Sequence, residues 1–98
     1  MNTYVIRREK AWESPDDLGK TAERSKEVAA EEFPDDIAWI RSYVIKEDGG
    51  TLGTVCIYQA SSPEAIRRHA SCADLPVDEI VRIADTVVVR PDPQPVGA

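Results

Sequence analysis

Short apolar stretches separated by turn-forming residues divide the chain into four predicted strands and two predicted helices. The strands are expected at residues 4–9, 37–46, 52–60 and 81–89, where β-branched and aromatic residues are frequent. Gly49 and Gly50 separate the second strand from the third and suit a hairpin turn. We therefore expect these two strands to run antiparallel.

Both predicted helices begin with a serine that is followed by a proline and an acidic residue. Ser14 and Ser62 are the expected N-caps, the proline occupies the first helical position, and the acidic residues lie near the positive end of the helix dipole. The first helix should end before Pro34, and the second should cover residues 63 to 72 or 73. The apolar stripe of the first helix, at spacings of three and four, consists of Leu18, Ala22, Ser25, Ala29 and Phe33.

The element order β-α-β-β-α-β predicts an α+β fold of the ferredoxin-like sandwich type. Two right-handed crossovers place both helices on one face of a four-stranded antiparallel sheet. We expect residues 1–90 to form a single domain and residues 91–98, which include three prolines, to form an extended tail. The other face of the sheet is then left open.

The period of two along a strand predicts which side chains share that open face. The set that suits packing under the helices consists of Val55 and Ile57 of the third strand and Ala38, Ile40, Ser42 and Val44 of the second. The opposite set, expected on the open face, consists of Trp39, Arg41, Tyr43, Cys56 and Tyr58. This face is too aromatic to be bare and too polar to be ordinary core.

Two compatible interpretations of the open face follow. Aromatic residues and arginine are enriched at protein interfaces, so two copies could pack sheet against sheet as a homodimer of the α+β barrel type. Alternatively, the two sheets could enclose a pocket in which Trp39 and Tyr43 form apolar walls and Arg41 binds a small organic acid. Tyr43 or Tyr58 would then be a candidate proton donor.

His69 is the only histidine of the chain, and it lies three residues before Cys72 on the second predicted helix. Residues at this spacing are neighbours on one helical face. A His-x-x-Cys pair supplies two ligands for zinc, nickel or copper, whereas a protein site usually needs three or four. An exposed histidine near a helix C-terminus is more often a partner of the helix dipole.

Composition narrows the classes of partner and location. Twelve Lys and Arg residues against eighteen Asp and Glu give a net charge of -6, which disfavours nucleic acid and anionic membranes as partners. No apolar run approaches the roughly 20 residues of a membrane span, and no signal-peptide core is present, so we expect a cytoplasmic protein. Cys56 and Cys72 should be free thiols there.

Five segments in order, at residues 4–9, 38–44, 55–60, 63–70 and 75–78, resemble a small family common in actinobacteria, a domain of unknown function with members described as nickel-binding proteins. The resemblance covers nearly all of residues 3–90. It implies a ferredoxin-like fold, a homodimer and a metal site built from His and Cys side chains. The family positions for these ligands correspond to Arg41, Cys56 and His69, and here the first of them is not a histidine.

Two functions are therefore expected, one from the family resemblance and one from the arginine that replaces the family histidine at residue 41. The resemblance implies a small metal-binding protein, with nickel or another divalent transition metal held by Cys56 and His69 and by Cys72 as a further candidate. A guanidinium is no ordinary metal ligand, so Arg41 favours the alternative, a binder of a small organic anion or a barrel-type enzyme. Its ligand-binding residues would be Trp39, Arg41, Tyr43 and Tyr58.

Overall fold

The computed structural model describes residues 1–93, and it confirms the α+β ferredoxin-like fold. The elements are β1 (Asn2–Trp12), α1 (Pro15–Glu32), β2 (Ile37–Lys46), β3 (Leu52–Ala60), α2 (Pro63–Ala73) and β4 (Glu79–Arg82), and a short 3₁₀ turn (Asp48–Gly50) joins β2 to β3. The four strands form one antiparallel sheet in the order β2-β3-β1-β4. Neither helix of residues 1–93 is long and apolar enough to cross a membrane.

The local signals at the helix starts and at the hairpin act as the sequence predicts. The Oγ atoms of Ser14 and Ser62 accept hydrogen bonds from the backbone N–H groups of Asp17 and Ala65, at 3.2 and 3.1 Å. These bonds satisfy donors that the first helical turn leaves free. Gly49 and Gly50 have φ values of 85° and 91°, which side chains disfavour, so glycine suits both positions of this turn.

A β-bulge in β2 changes the face assignment derived from simple alternation. Trp39 lies opposite Tyr58 and Arg41 lies opposite Ile57, so Ile40 is an extra residue between the two pairs. Trp39 and Ser42 therefore share one face, and the Trp39 indole N–H donates to the Ser42 hydroxyl at 2.7 Å. A bulge reverses the alternation of side chains beyond it, because it adds one residue to one strand only.

The predicted open-face set is wrong for three of its five members. Trp39, Cys56 and Tyr58 lie on the side of the sheet that the helices cover, and only Arg41 and Tyr43 lie on the open side. In β3 the two faces are the reverse of the prediction: Val55 and Ile57 face the open side. Because both sets of β3 side chains are largely apolar, periodicity separates them without showing which set packs under the helices.

The last strand is also shorter than predicted. β4 ends at Arg82, where it pairs with Tyr4 of β1, and residues 84–89 are not in a strand. The three consecutive valines Val87, Val88 and Val89 are 73–87% exposed. Of the predicted tail at 91–98, residues 94–98 lie outside the described part of the chain.

Candidate functional site

A cavity of about 170 Å³ lies between α1 and the helix-covered face of the sheet. Its wall is almost entirely apolar, and it includes both tryptophans of the chain, Trp12 and Trp39. The Trp39 ring is stacked on Tyr58 at 5.9 Å between centroids. The other lining residues are Arg8, Leu18, Thr21, Ala22, Ser25, Ser42, Val44, Thr54, Cys56 and Leu75.

Arg8 is the charged residue of this wall. It is the third member of a buried alternation in β1, after Tyr4 and Ile6, and it lies opposite Thr54 of β3. Only 1% of its surface is exposed, and neither Nη1 nor Nη2 has a hydrogen-bond partner. Its guanidinium carbon lies 6.0 Å from the centre of the Tyr58 ring. A buried cation with no anion beside it is energetically costly, by several kcal/mol.

The remaining hydroxyl and thiol groups of the wall already have partners within the chain. Thr21 donates to the carbonyl oxygen of Asp17 at 3.0 Å, and the Cys56 thiol donates to the Thr54 hydroxyl at 3.3 Å. The hydroxyls of Ser25 and Tyr58 lie 3.5 Å apart. Ser42 accepts from Trp39, as described above. Arg8 is therefore the lining residue whose polar atoms are left without partners.

His69 lies behind this wall, fully buried between α1 and the sheet. Its Nε2 is 3.0 Å from the carbonyl oxygen of Ser25, and because a carbonyl only accepts, Nε2 carries the proton. Nδ1 is buried without a partner. Burial lowers the pKa of His69, and the nearby Arg8 charge lowers it further. Burial also raises the pKa of Tyr58.

On the open face, Arg41 already binds a carboxylate of its own chain. Its Nη1 lies 2.6 Å from Asp92 Oδ2, and the Tyr43 hydroxyl donates to the same carboxylate at 2.9 Å. Hydrogen bonds with Tyr43 and Asp92 raise the pKa of Arg41. The predicted ligand-binding residues are thus divided between two sides of the sheet, with Arg41 and Tyr43 on one side and Trp39 and Tyr58 on the other.

The predicted metal ligands do not form a metal centre in a single chain. Cys56 and His69 both belong to the layer under the helices, contrary to the prediction that Cys56 lies on the open face, but Cys72 is exposed on α2. Within residues 1–93, no three His, Cys, Asp or Glu side chains come together at metal-binding distances. The fixed charge of Arg8 lies in the same layer and repels a cation. In this arrangement the described residues therefore do not form a nickel site.

Sequence reasoning missed Arg8, the residue with the clearest chemical role in this cavity. The signal was available in the alternation of Tyr4, Ile6 and Arg8, which share one face of β1 at a spacing of two. Ser25 was correctly assigned to the apolar stripe of α1. Its contacts with Tyr58 and His69 could not be predicted, since they join three separate elements.

Comparison with known proteins agrees with this fold. Residues 4–83 match the family described as "nickel responsive protein SCO4226-like". The crystal structure of SCO4226 from Streptomyces coelicolor A3(2) superposes with a TM-score of 0.66 at 16% identity, over 87% of this chain and 99% of that one. A search of curated proteins found no match. The family match extends over most of the chain, and the protein therefore belongs to the SCO4226-like family.

Proposed function

We propose that the protein binds a small organic anion in the cavity under α1, with Arg8 as the anionic group's partner. The observation that carries this proposal is the Arg8 guanidinium, which is buried beside an apolar cavity and has two unpartnered nitrogens. A bound anion would offset the cost of that charge, because hydrogen bonds between ionised groups are the stronger ones. Arg8 thus replaces Arg41 as the proposed anion-binding residue, because Arg41 already forms an ion pair with Asp92.

The test replaces Arg8 by methionine, which keeps much of the side-chain length and removes the charge. We expect a panel of small organic acids to include members that raise the melting temperature of the wild type and leave Arg8→Met unchanged. Saturation at about 100 times the dissociation constant should stabilise the wild type by about 2.7 kcal/mol. Without ligand, Arg8→Met should be the more stable protein, because a buried unpaired charge has been removed.

Arg68→Met is the matched control, since Arg68 is an exposed arginine of α2. It should respond to the acids as the wild type does. The proposal fails if no acid stabilises the wild type, or if the same acids stabilise Arg8→Met equally.

Nickel binding is the second candidate, and the family description favours it. A site in this protein would use Cys56, His69 and Cys72 after a rearrangement, because Cys56 and His69 are buried whereas Cys72 is exposed, and the three do not form a centre as they lie. We expect titration of untagged protein with nickel to show micromolar binding that Cys56→Ser and His69→Ala each weaken at least about tenfold. Wild-type protein that binds no nickel in this range would eliminate the candidate.

We further propose that the protein acts as a cytoplasmic homodimer whose contact is the open face of the sheet. Tyr43 and Val81 on this face are exposed, as are the bulge residue Ile40 and the valines of segment 86–92. This segment lies beside β2 and forms a groove with Ile40, Arg41 and Tyr43. Contiguous exposed apolar surface of this kind is typical of interaction sites, and a second copy offers the same apolar face in return.

A further inference from the structure

The cavity wall restricts the class of anion that it can hold. We infer that the ligand is a monocarboxylate with a compact, flat apolar body of about the size of benzoate. This inference rests on the proposed function, and it adds the chemical class of the ligand for the same site. The volume of the cavity, the charge of its wall and the polarity of its wall each constrain the ligand independently.

The volume sets the size of the apolar body. An engineered apolar cavity of about 150 Å³ holds one benzene molecule, so a cavity of about 170 Å³ has room for a six-membered ring. The stacked rings of Trp39 and Tyr58 and the indole of Trp12 contribute aromatic surface, against which a flat body packs favourably.

The charge of the wall sets the charge of the ligand. Arg8 supplies one positive charge, and the wall has no second basic side chain. A dicarboxylate or a phosphate dianion would therefore bury at least one negative charge without a counter-charge, which is costly. A carboxylate carries a single charge, and its two oxygens match the planar fork of a guanidinium.

The polarity of the wall disfavours a hydroxylated ligand body. Every Ser, Thr and Tyr hydroxyl of the wall, together with the Cys56 thiol, has a hydrogen bond within the chain. The hydroxyls of a sugar acid or hydroxy acid would lose their bonds to water without gaining equivalent partners. The wall therefore suits a ligand whose polarity is confined to one end.

Both tryptophans of the chain line the cavity, so tryptophan fluorescence reports directly on its occupancy. We would titrate the protein with benzoate and with benzamide, which has nearly the same shape and no charge. Benzoate should bind roughly 10- to 100-fold more tightly than benzamide, as expected for hydrogen bonds to a charged group. Arg8→Met should lose this preference, and Arg68→Met should keep it.

Phenyl phosphate, phthalate and acetate complete the probe set, and they separate the two proposals. Equal binding of benzoate and benzamide overturns the monocarboxylate inference. Tighter binding of phenyl phosphate or phthalate through Arg8 also overturns it, but this result leaves the proposed binding of organic anions intact. Acetate should bind weakly because it leaves the apolar volume unfilled. Failure of every anion to bind to the wild type overturns the proposed function together with this inference.

Discussion

Two ionisable side chains in the layer between α1, α2 and the sheet have different consequences for stability. The Arg8 guanidinium is buried with Nη1 and Nη2 unpartnered, so it contributes an unfavourable free-energy term that a bound anion can remove. His69 can lose its charge, and its burial favours the neutral form. Burial in the same apolar layer therefore gives Arg8 a candidate binding function and makes the stability of the protein depend on pH through His69.

The lowered pKa of His69 predicts a loss of stability in mild acid. In the unfolded chain a histidine binds a proton near pH 6.5, whereas buried His69 takes it up only at a lower pH. Between these two pKa values the unfolded state holds more protons, so the free energy of unfolding falls as the pH falls, by at most about 1.4 kcal/mol per pH unit.

Urea unfolding of metal-free protein at several pH values between 7.5 and 5.5 measures this effect. His69→Gln should be less stable than wild type at pH 7.5, but its stability should change little over this range, because the chain has no other histidine. A wild-type curve that is flat below pH 6.5 would contradict the assignment of a buried neutral His69.

At the scale of elements, the pairing of β1 with β3 positions Arg8 through a close backbone contact. An added Cβ at Gly53 would lie 2.5 Å from the carbonyl oxygen of Arg8 and 2.6 Å from Glu47 Oε2. Glu47 in turn accepts hydrogen bonds from Arg7 Nη2 and from the Lys10 backbone N–H, at 2.9 and 2.7 Å. Only glycine at residue 53 allows the β2–β3 connection to pack this closely on β1.

Gly53→Ala should therefore destabilise the protein by about 1–3 kcal/mol, the range typical of overpacked sites. It should also weaken anion binding, since the clash displaces the backbone of Arg8. Gly19→Ala is the matched control: Gly19 lies within α1 with open space around it, and alanine there should stabilise the protein by about 0.5–1 kcal/mol. Thermal unfolding of the two variants should show opposite shifts, and shifts of the same sign would refute this account.

At the scale of the whole molecule, most of the exposed large apolar side chains of residues 1–93 lie on the open face, at the bulge residue Ile40 and in the segment that follows β4. The ion pair of Arg41 with Asp92 joins residues 51 positions apart and holds the end of this segment against β2. Because this pair is half-exposed, its own contribution to stability is small. Its role in the proposed homodimer is to position Val87, Val88 and Val89 beside the sheet.

Val88→Asp tests the homodimer. A carboxylate buried between two copies would be strongly unfavourable, so the variant should sediment as a monomer at concentrations where the wild type is a dimer. Ser71→Asp adds the same charge at an exposed position of α2, on the other side of the sheet, and serves as the comparison for a general charge effect. Equal masses for wild type and Val88→Asp in analytical ultracentrifugation would exclude a dimer contact at these valines.

The sequence by itself determined the order of elements, the helix caps and the hairpin turn, because these depend on contacts within a few residues. The ferredoxin-like fold followed from that order and the family resemblance from five sequence segments, and both are confirmed. The pattern at Ser14 and Ser62 specifies helix starts wherever the helices pack. Arg41 was also correctly assigned to the open face, where it lies beside Tyr43.

Only the tertiary structure decided which face of each strand lies under the helices. The bulge at Ile40 and the apolar character of both faces of β3 made that choice depend on packing between elements, which periodicity does not record. For the same reason the cavity and the unpartnered Arg8 could not be predicted: they arise where α1 and three strands meet. The sequence singled out the charge of Arg41, but Arg41 is paired with Asp92. The buried charge without a hydrogen-bond partner at Nη1 and Nη2 is that of Arg8.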